Sequence, residues 1–229
     1  MRLVALAIAT LFATFSASYA QTVHVTGSVQ ISGKKGTAKD AANVVVWLTP
    51  RSGPAPEVPQ KQYRLTQQGK HFEPHLLIVP VGAVVEFPNK DPFFHNVFSV
   101  YEGTPFDLGL YESGSSKPVH FNRAGPSYIF CNIHPEMSAV VLALKTPYYA
   151  TTNSKGEYGI DLPAGDYELG LWYERTSPEE LKNLSRRVTV SEGTTDIGRT
   201  KLTEVPSLAE GHKNKYGQTY EKTPNYPVP

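Results

Sequence analysis

Sulfur and surplus charge are both scarce in this 229-residue chain. It carries one Cys and two Met, and Met1 opens the sequence. A lone thiol cannot close an internal disulfide, so a small disulfide-stapled domain is excluded. Its 22 Lys+Arg are balanced by 21 Asp+Glu. That balance argues against a nucleic-acid binder, which needs a basic surplus or stripe to neutralise phosphates. No apolar run approaches the roughly 20 residues a membrane-spanning helix requires. What sulfur remains is concentrated: Cys131 and Met137 lie six positions apart.

Residues 1–20 read as an export signal, with Arg2 as the positive start, an apolar stretch over 3–15, and the small residues Ser18 and Ala20 at the cleavage position. Cleavage is expected after Ala20, leaving Gln21 first, and the absence of a nearby Cys excludes a bacterial lipoprotein. The expectation is a periplasmic or secreted protein with no membrane span once the signal is removed. Outside the cytosol an unpaired thiol is a liability unless it is buried or committed to chemistry. Both readings of Cys131 stand at this point.

Short β-rich runs punctuated by Gly, Pro, Asn and Asp recur along the chain. Strands are expected at 23–31, 44–48, 76–80, 83–87, 96–100, 118–122, 127–131, 139–144, 157–162, 167–173, 186–190 and 198–202. Only 177–184 looks helical, with Ser177 as N-cap, Pro178 in the first position and Glu180 completing a capping box. The turn signals Asn153 to Gly156 and Pro163 to Gly165 suggest a hairpin meander over 148–173. The class is all-β and sandwich-like, with one short helix. From about Val205 the periodicity stops, and 204–229 reads as an irregular arm, loose or laid over the body.

The chemistry gathers at Cys131-Asn132-Ile133-His134-Pro135-Glu136-Met137. A strand ending in Cys, followed by a Pro-containing loop with His and Met, brings thiolate, imidazole and thioether together, the donors copper prefers. Upstream, His95 begins another expected strand in Phe93-Phe94-His95-Asn96-Val97-Phe98. Neighbouring antiparallel strands could bring all four donors to one end of the sheets. His71 and His75 have an i, i+4 spacing, but Gly69 and Pro74 make a helical metal pair improbable there, and His24, His120 and His212 are scattered. No His-x-His pair exists to hold the additional metals of a multicopper oxidase. Gln21 rather than His at the expected new N-terminus removes histidine-brace chemistry.

Residues 60–145 resemble a cupredoxin, the small blue-copper fold of amicyanin-like and plastocyanin-like proteins. The resemblance rests on Phe72-x-Pro74, on Val79-x-x-Gly82-x-x-Val85-x-Phe87-x-Asn89-x-Asp91 followed by His95-Asn96-Val97, and on Cys131-x-x-His134-x-x-Met137. It implies a Greek-key β-sandwich holding one type 1 copper ion, with His95, Cys131 and His134 as equatorial ligands and Met137 as a weak axial one. It further implies that Asn96 ties the two ligand segments together by a side-chain hydrogen bond near Cys131; an ordinary loop Asn is the alternative. Pro92, Phe93, Phe94 and Pro135 would form an apolar rim for a redox partner, or else simply core. One departure is that the aromatics before the Cys, Tyr128 and Phe130, are shifted by one position from the family's usual pattern.

The flanks carry Thr152-x-x-x-Gly156-x-Tyr158 and Leu162-Pro163-x-Gly165-x-Tyr167, which resemble a carboxypeptidase-regulatory-like or transthyretin-like β-sandwich. The organisation expected is a signal at 1–20, the first part of that sandwich at 21–58, an inserted cupredoxin domain at 59–146, the remainder at 147–203 and the arm at 204–229. Trp47 and Trp172 are expected in the core of the flanking sandwich; the rival arrangement is linear. The function implied is single-electron transport between redox partner proteins, not enzymatic catalysis. Copper binding or delivery through the same ligands is the alternative. A purely structural sandwich and a Cys-His hydrolase are weaker, the latter because Cys131 and His134 share one tight loop with no orienting residue.

Overall fold

A computed structural model describes residues 22–33, 38–53, 58, 61–100, 102–194, 196–207 and 209–220. The export signal, its cleavage position and the last part of the arm lie outside the described residues. Among those described, the chain forms 18 strands and one helix, so the all-β class holds. No described helix is long and apolar enough to cross a membrane.

All twelve expected runs are strands, with ends displaced by a few residues. Six others were not expected: Ala38–Lys39, Tyr63–Arg64, Thr66–Gln68, His71–Glu73, Phe106–Tyr111 and Tyr149–Thr151. Five of these are two or three residues long, too short for a periodic signal. Phe106–Tyr111 is hidden for another reason. A bulge between Asp107 and Leu110, with Gly109 at φ 64°, throws its alternation out of phase.

Two sandwiches follow from the pairing. In the first, Thr22–Ser32 alternates exposed and buried residues along its length and pairs with Glu157–Pro163 and Asp196–Thr203. The opposing sheet joins Tyr149–Thr151, Val45–Pro50, Gly165–Trp172 and Arg186–Val190. Between them lies a core that includes Val25, Val29, Leu48, Ile160, Leu162 and Leu169. Strands from the two ends of the chain thus build one sandwich, with Leu48 accepting the Thr146 hydroxyl at 2.8 Å where the chain leaves and returns. The described strands from Tyr63 to Leu144 build the other. Its five-stranded sheet runs Phe106–Tyr111, His95–Ser99, Gly125–Cys131, Ser138–Leu144, Leu76–Pro80, and it faces Ser116–Phe121, Ala83–Pro88 and Tyr63–Arg64.

Three details differ from expectation. The strands Glu157–Pro163 and Gly165–Trp172 are not a hairpin but belong to opposite sheets, and Pro163 to Gly165 turns the corner between them. Tyr167 fastens that corner by donating its hydroxyl to the Pro163 carbonyl at 2.7 Å. The helix Pro178–Leu184 has Ser177 as its cap, accepting the Glu180 N–H, while the Glu180 carboxylate accepts the Thr203 N–H and so ties the helix to the last strand. Trp47 and Trp172 do not fill the first sandwich's core; they face outward, toward the second sandwich.

That outward face is itself buried. Val45 and Trp172 meet Phe98, Tyr128, Phe130, Val140, Leu142 and Leu144 in a third apolar layer. Val140, Leu142 and Leu144 point there, whereas Ala139, Val141 and Ala143 point into the second sandwich's core. The near-continuous apolar run of this strand is the signature of a sheet covered on both faces. Gly170 makes room for the contact, because a Cβ there would stand 2.5 Å from the Trp47 ring. Burying a large apolar side chain contributes about 1.5–3 kcal/mol, so a layer of this make-up holds the two sandwiches together as a unit.

Candidate metal centre

His95 opens the strand His95–Ser99 and Cys131 closes the strand Gly125–Cys131, and these neighbours pair with Cys131 opposite Val97. Alternation aims His95, Val97, Ile129 and Cys131 at the same side of the sheet, toward the second sandwich's core. After Cys131 the chain turns back at once: Met137 N–H donates to the His134 carbonyl at 3.1 Å, and Cys131 N–H to the Met137 carbonyl at 3.3 Å. This tight loop folds His134 over the strand end.

The result is a triangle of donors. Cys131 Sγ lies 3.5 Å from His95 Nδ1 and 3.6 Å from His134 Nδ1, and the two nitrogens are 3.2 Å apart. Cys131 and His95 are buried and His134 is half-buried. This is the only group of three or more His, Cys, Asp or Glu with metal-binding proximity among the described residues. Zinc, as a representative first-row ion, holds imidazole nitrogen at about 2.0–2.1 Å and thiolate at about 2.3 Å, which at donor–metal–donor angles of about 100–120° separates the donors by roughly 3.1–3.8 Å. The triangle fits one such ion. Met137 is fully buried in the same core as Cys131.

The surroundings prepare these donors. Burial pushes the Cys131 thiol up, but the His95 ring and the backbone groups of Ile133, Asn96 and His134 outweigh it, so the thiol is held below its ordinary range. Burial pushes His95 down, but Cys131 and Asp91 prevail and its pKa is raised. His134 is lowered, by burial first and then by the positive charges of His95 and Lys70. The lowered thiol pKa favours the thiolate, the form that acts as a metal ligand.

Asp91 was not singled out from the sequence as a site residue, yet it accepts the Nε2 side of His95 at 2.9 Å from a buried position. Its carboxylate also accepts the Gly69 and Lys70 N–H groups at the turn between Thr66–Gln68 and His71–Glu73. With Nε2 engaged, Nδ1 is left facing the thiol. The i, i+4 spacing of Asp91 and His95 was the available signal. Phe93 packs on both ligand candidates, with centroids 5.3 Å from the His95 ring and 5.4 Å from the His134 ring. Pro92, Phe94 and Pro135 are exposed, joined by Ile133, which the sequence reading passed over.

Asn96 joins the two ligand segments, but through its main chain: its carbonyl accepts the Asn132 N–H at 2.8 Å. Its side-chain amide donates instead to Asp107 at 2.7 Å, on the strand hidden by the bulge. The shifted aromatics are likewise explained. Tyr128 and Phe130 alternate with Ile129 and Cys131 and therefore face the layer between the sandwiches.

The remaining histidines are placed elsewhere. His75 lies 3.1 Å from the Ser138 carbonyl and 2.7 Å from Glu174, and His24 lies 2.6 Å from Asp161. His71 and His120 are exposed.

No protein-family model and no curated protein matches the chain. Among solved structures it is similar to a copper-containing nitrite reductase, NirK, from Thermus scotoductus SA-01, at 25% identity over 42% of this chain with a TM-score of 0.35. The chain covers only 25% of that enzyme's length. It is similar also to a purple cupredoxin from Nitrosopumilus maritimus, at 21% identity, covering 36% of this chain and 100% of that one with a TM-score of 0.33. A reduced amicyanin variant matches at 22% identity over 43% of this chain and 98% of its own, with a TM-score of 0.35.

Proposed function

We propose that this chain is an exported electron carrier whose centre is a single type 1 copper ion held by His95, Cys131 and His134, with Met137 as the axial donor. The observation that carries the reading is the buried triangle of two imidazole Nδ1 atoms and one thiol, 3.2–3.6 Å apart. Copper would supply the redox change between its two oxidation states. The chain's own residues hold the donors in one arrangement suited to both, which keeps the rearrangement small. The two β-strands and tight loop are backed by their own sandwich's core on one face and by the first sandwich on the other, which limits how far the donors can move. Asp91 keeps the Nδ1 lone pair of His95 toward the site, and Phe93 shields both rings.

Burial sets the route an electron would take. His134 is the least buried of the three donors, and Phe94 at 55% and Ile133 at 42% exposure leave apolar surface beside it. We read this rim, with Pro92 and Pro135, as the docking surface for a redox partner protein. We further read the metal-holding sandwich as an insertion into the first, which serves as its scaffold.

Titrating the purified protein with Cu(II) and recording visible and EPR spectra tests the proposal. An intense thiolate-to-copper charge-transfer band, lost on reduction and in Cys131→Ser, is expected. A colourless protein that instead takes one Zn(II) tightly, or a tetragonal copper spectrum indifferent to Cys131→Ser, refutes it. Colour that passes readily to a copper acceptor would favour delivery over electron transport.

A further inference from the structure

The described part of the arm, residues 204–207 and 209–220, is held against the body of the molecule. It is fastened to the first sandwich by Arg175, which donates to Glu204 at 2.8 Å and to Glu210 at 2.6 Å, and by Ser207, which donates to Glu174 at 2.7 Å. Beyond these anchors it crosses to the second sandwich and arrives at the ligand loop. Tyr220 donates its hydroxyl to the carbonyl of Cys131 at 2.9 Å. His212 stacks on Phe130, the residue before Cys131, with centroids 4.0 Å apart and planes 18° from parallel, and its Nε2 lies 3.1 Å from the Tyr220 hydroxyl. Lys215 N–H donates to the Asn132 side chain at 3.0 Å, and Lys215 Nζ donates to Asp107 at 2.7 Å. Asp107 in turn holds Asn96, beside His95.

Three consecutive residues, Phe130, Cys131 and Asn132, are thus gripped from outside their own sandwich, and the neighbour of His95 is held through Asp107.

We propose that the arm is a positioning element for the metal centre: Tyr220, His212 and Lys215 clamp the start of the Cys131–Met137 loop, so that the first sandwich fixes the donor geometry of the second. This rests on the metal-centre reading above, but the clamp has consequences in the metal-free protein as well. A single neutral hydrogen bond contributes about 1 kcal/mol, equivalent to about fivefold in an equilibrium or an opening rate.

The test uses the full chain and its Tyr220→Phe variant, which loses one hydroxyl and keeps the ring. In the metal-free proteins, amide hydrogen exchange at Cys131, Asn132 and Met137 is expected to quicken about fivefold in the variant, while Val25 and Ile160 in the first sandwich stay unchanged. In the copper-loaded proteins, Cu(II) loss to a chelator is expected to quicken by a similar factor, and further when His212→Ala is added, with a displaced charge-transfer maximum. Exchange and release both within twofold of wild type would overturn the clamp. A uniform rise in exchange across both sandwiches would also overturn it, because it would mean global destabilisation. If wild type fails to bind copper, the metal reading falls, and the exchange pattern alone decides the arm.

Discussion

Replacing Asp91 by alanine strands three donors at once. Its carboxylate accepts Gly69 N–H at 2.5 Å and Lys70 N–H at 3.0 Å, and it meets His95 Nε2 at 2.9 Å. Hydrogen bonds to a charged group contribute about 1.5–3 kcal/mol each when buried. The two turn amides are only partly buried and regain water, so about 1 kcal/mol or less is assigned to each; the fully buried His95 ring loses about 2–3 kcal/mol. The sum, about 2–5 kcal/mol, lowers the midpoint of thermal unfolding by roughly 4–20 °C for a protein of this size. Asp91→Asn keeps one acceptor oxygen and loses the charge, so about half of that loss is expected. The pH dependence has a definite sign. Burial raises the Asp91 pKa, but the Lys70 amide, His95 and the Gly69 amide outweigh it and hold the group below the usual carboxylate range. Its contribution is therefore complete above the unfolded value of about 4 and fades as pH falls through the folded value. Thermal scans of the metal-free wild type and Asp91→Ala at pH 7 and pH 3 measure both effects. A loss under about 3 °C at pH 7, or a difference undiminished at pH 3, would refute the reasoning.

Other expectations follow from features away from the donors. His75 is raised, chiefly by its hydrogen bond to Glu174, so the stabilisation from this pair is complete below the ordinary histidine pKa and is lost as pH rises through the raised value. The His75 side chain is 53% exposed, so solvent screening holds the effect to under about 1 kcal/mol; Tm profiles of wild type and His75→Gln should converge between pH 6 and 9, and parallel profiles would contradict it. Gly156 has φ 79°, and a Cβ there would stand 1.9 Å from the Val29 carbonyl oxygen, so Gly156→Ala should cost several kcal/mol in chemical denaturation. Gly193→Ala meets nothing within 4 Å and should stay within about 0.5 kcal/mol of wild type; equal effects at the two positions would show that backbone approach is not the cause.

Much of the candidate site could be read from residue order, because Cys, His and Met within seven positions of one another meet by local geometry alone. His95 needed one further step, the pairing of His95–Ser99 with Gly125–Cys131, and alternation within two short strands supplied it. What could not be read were contacts set by distant parts of the chain. Asp107 sits on a strand whose bulge conceals it, and Tyr220 meets Cys131 across 89 positions with no periodic pattern to announce it. The displaced aromatics Tyr128 and Phe130 looked like a departure from a fold family and are instead a sign of a second layer, since a strand buried on both faces places large side chains on each. Asn96 shows a similar limit: its position beside His95 marked it as a link, but only the structure assigns the link to its carbonyl.

The way the first sandwich is assembled from both ends of the chain has a consequence for the order in which the protein can form. Thr22–Ser32 is the first of the described strands, yet apart from a two-residue pairing with Ala38–Lys39 its partners are Glu157–Pro163 and Asp196–Thr203, more than 120 residues later. Until they are in place, most of that strand's backbone lacks its ladder partners, a recognised aggregation hazard. The segment from Tyr63 to Leu144 finds all its strand partners within itself and can collapse earlier. Its outer aromatic face, with Phe98 and Phe130, then waits for Val45 and Trp172. Closure of the molecule is thus a long-range event of the kind that folds slowly, because pairing between the two ends of the chain must wait for the segment between them to be spanned.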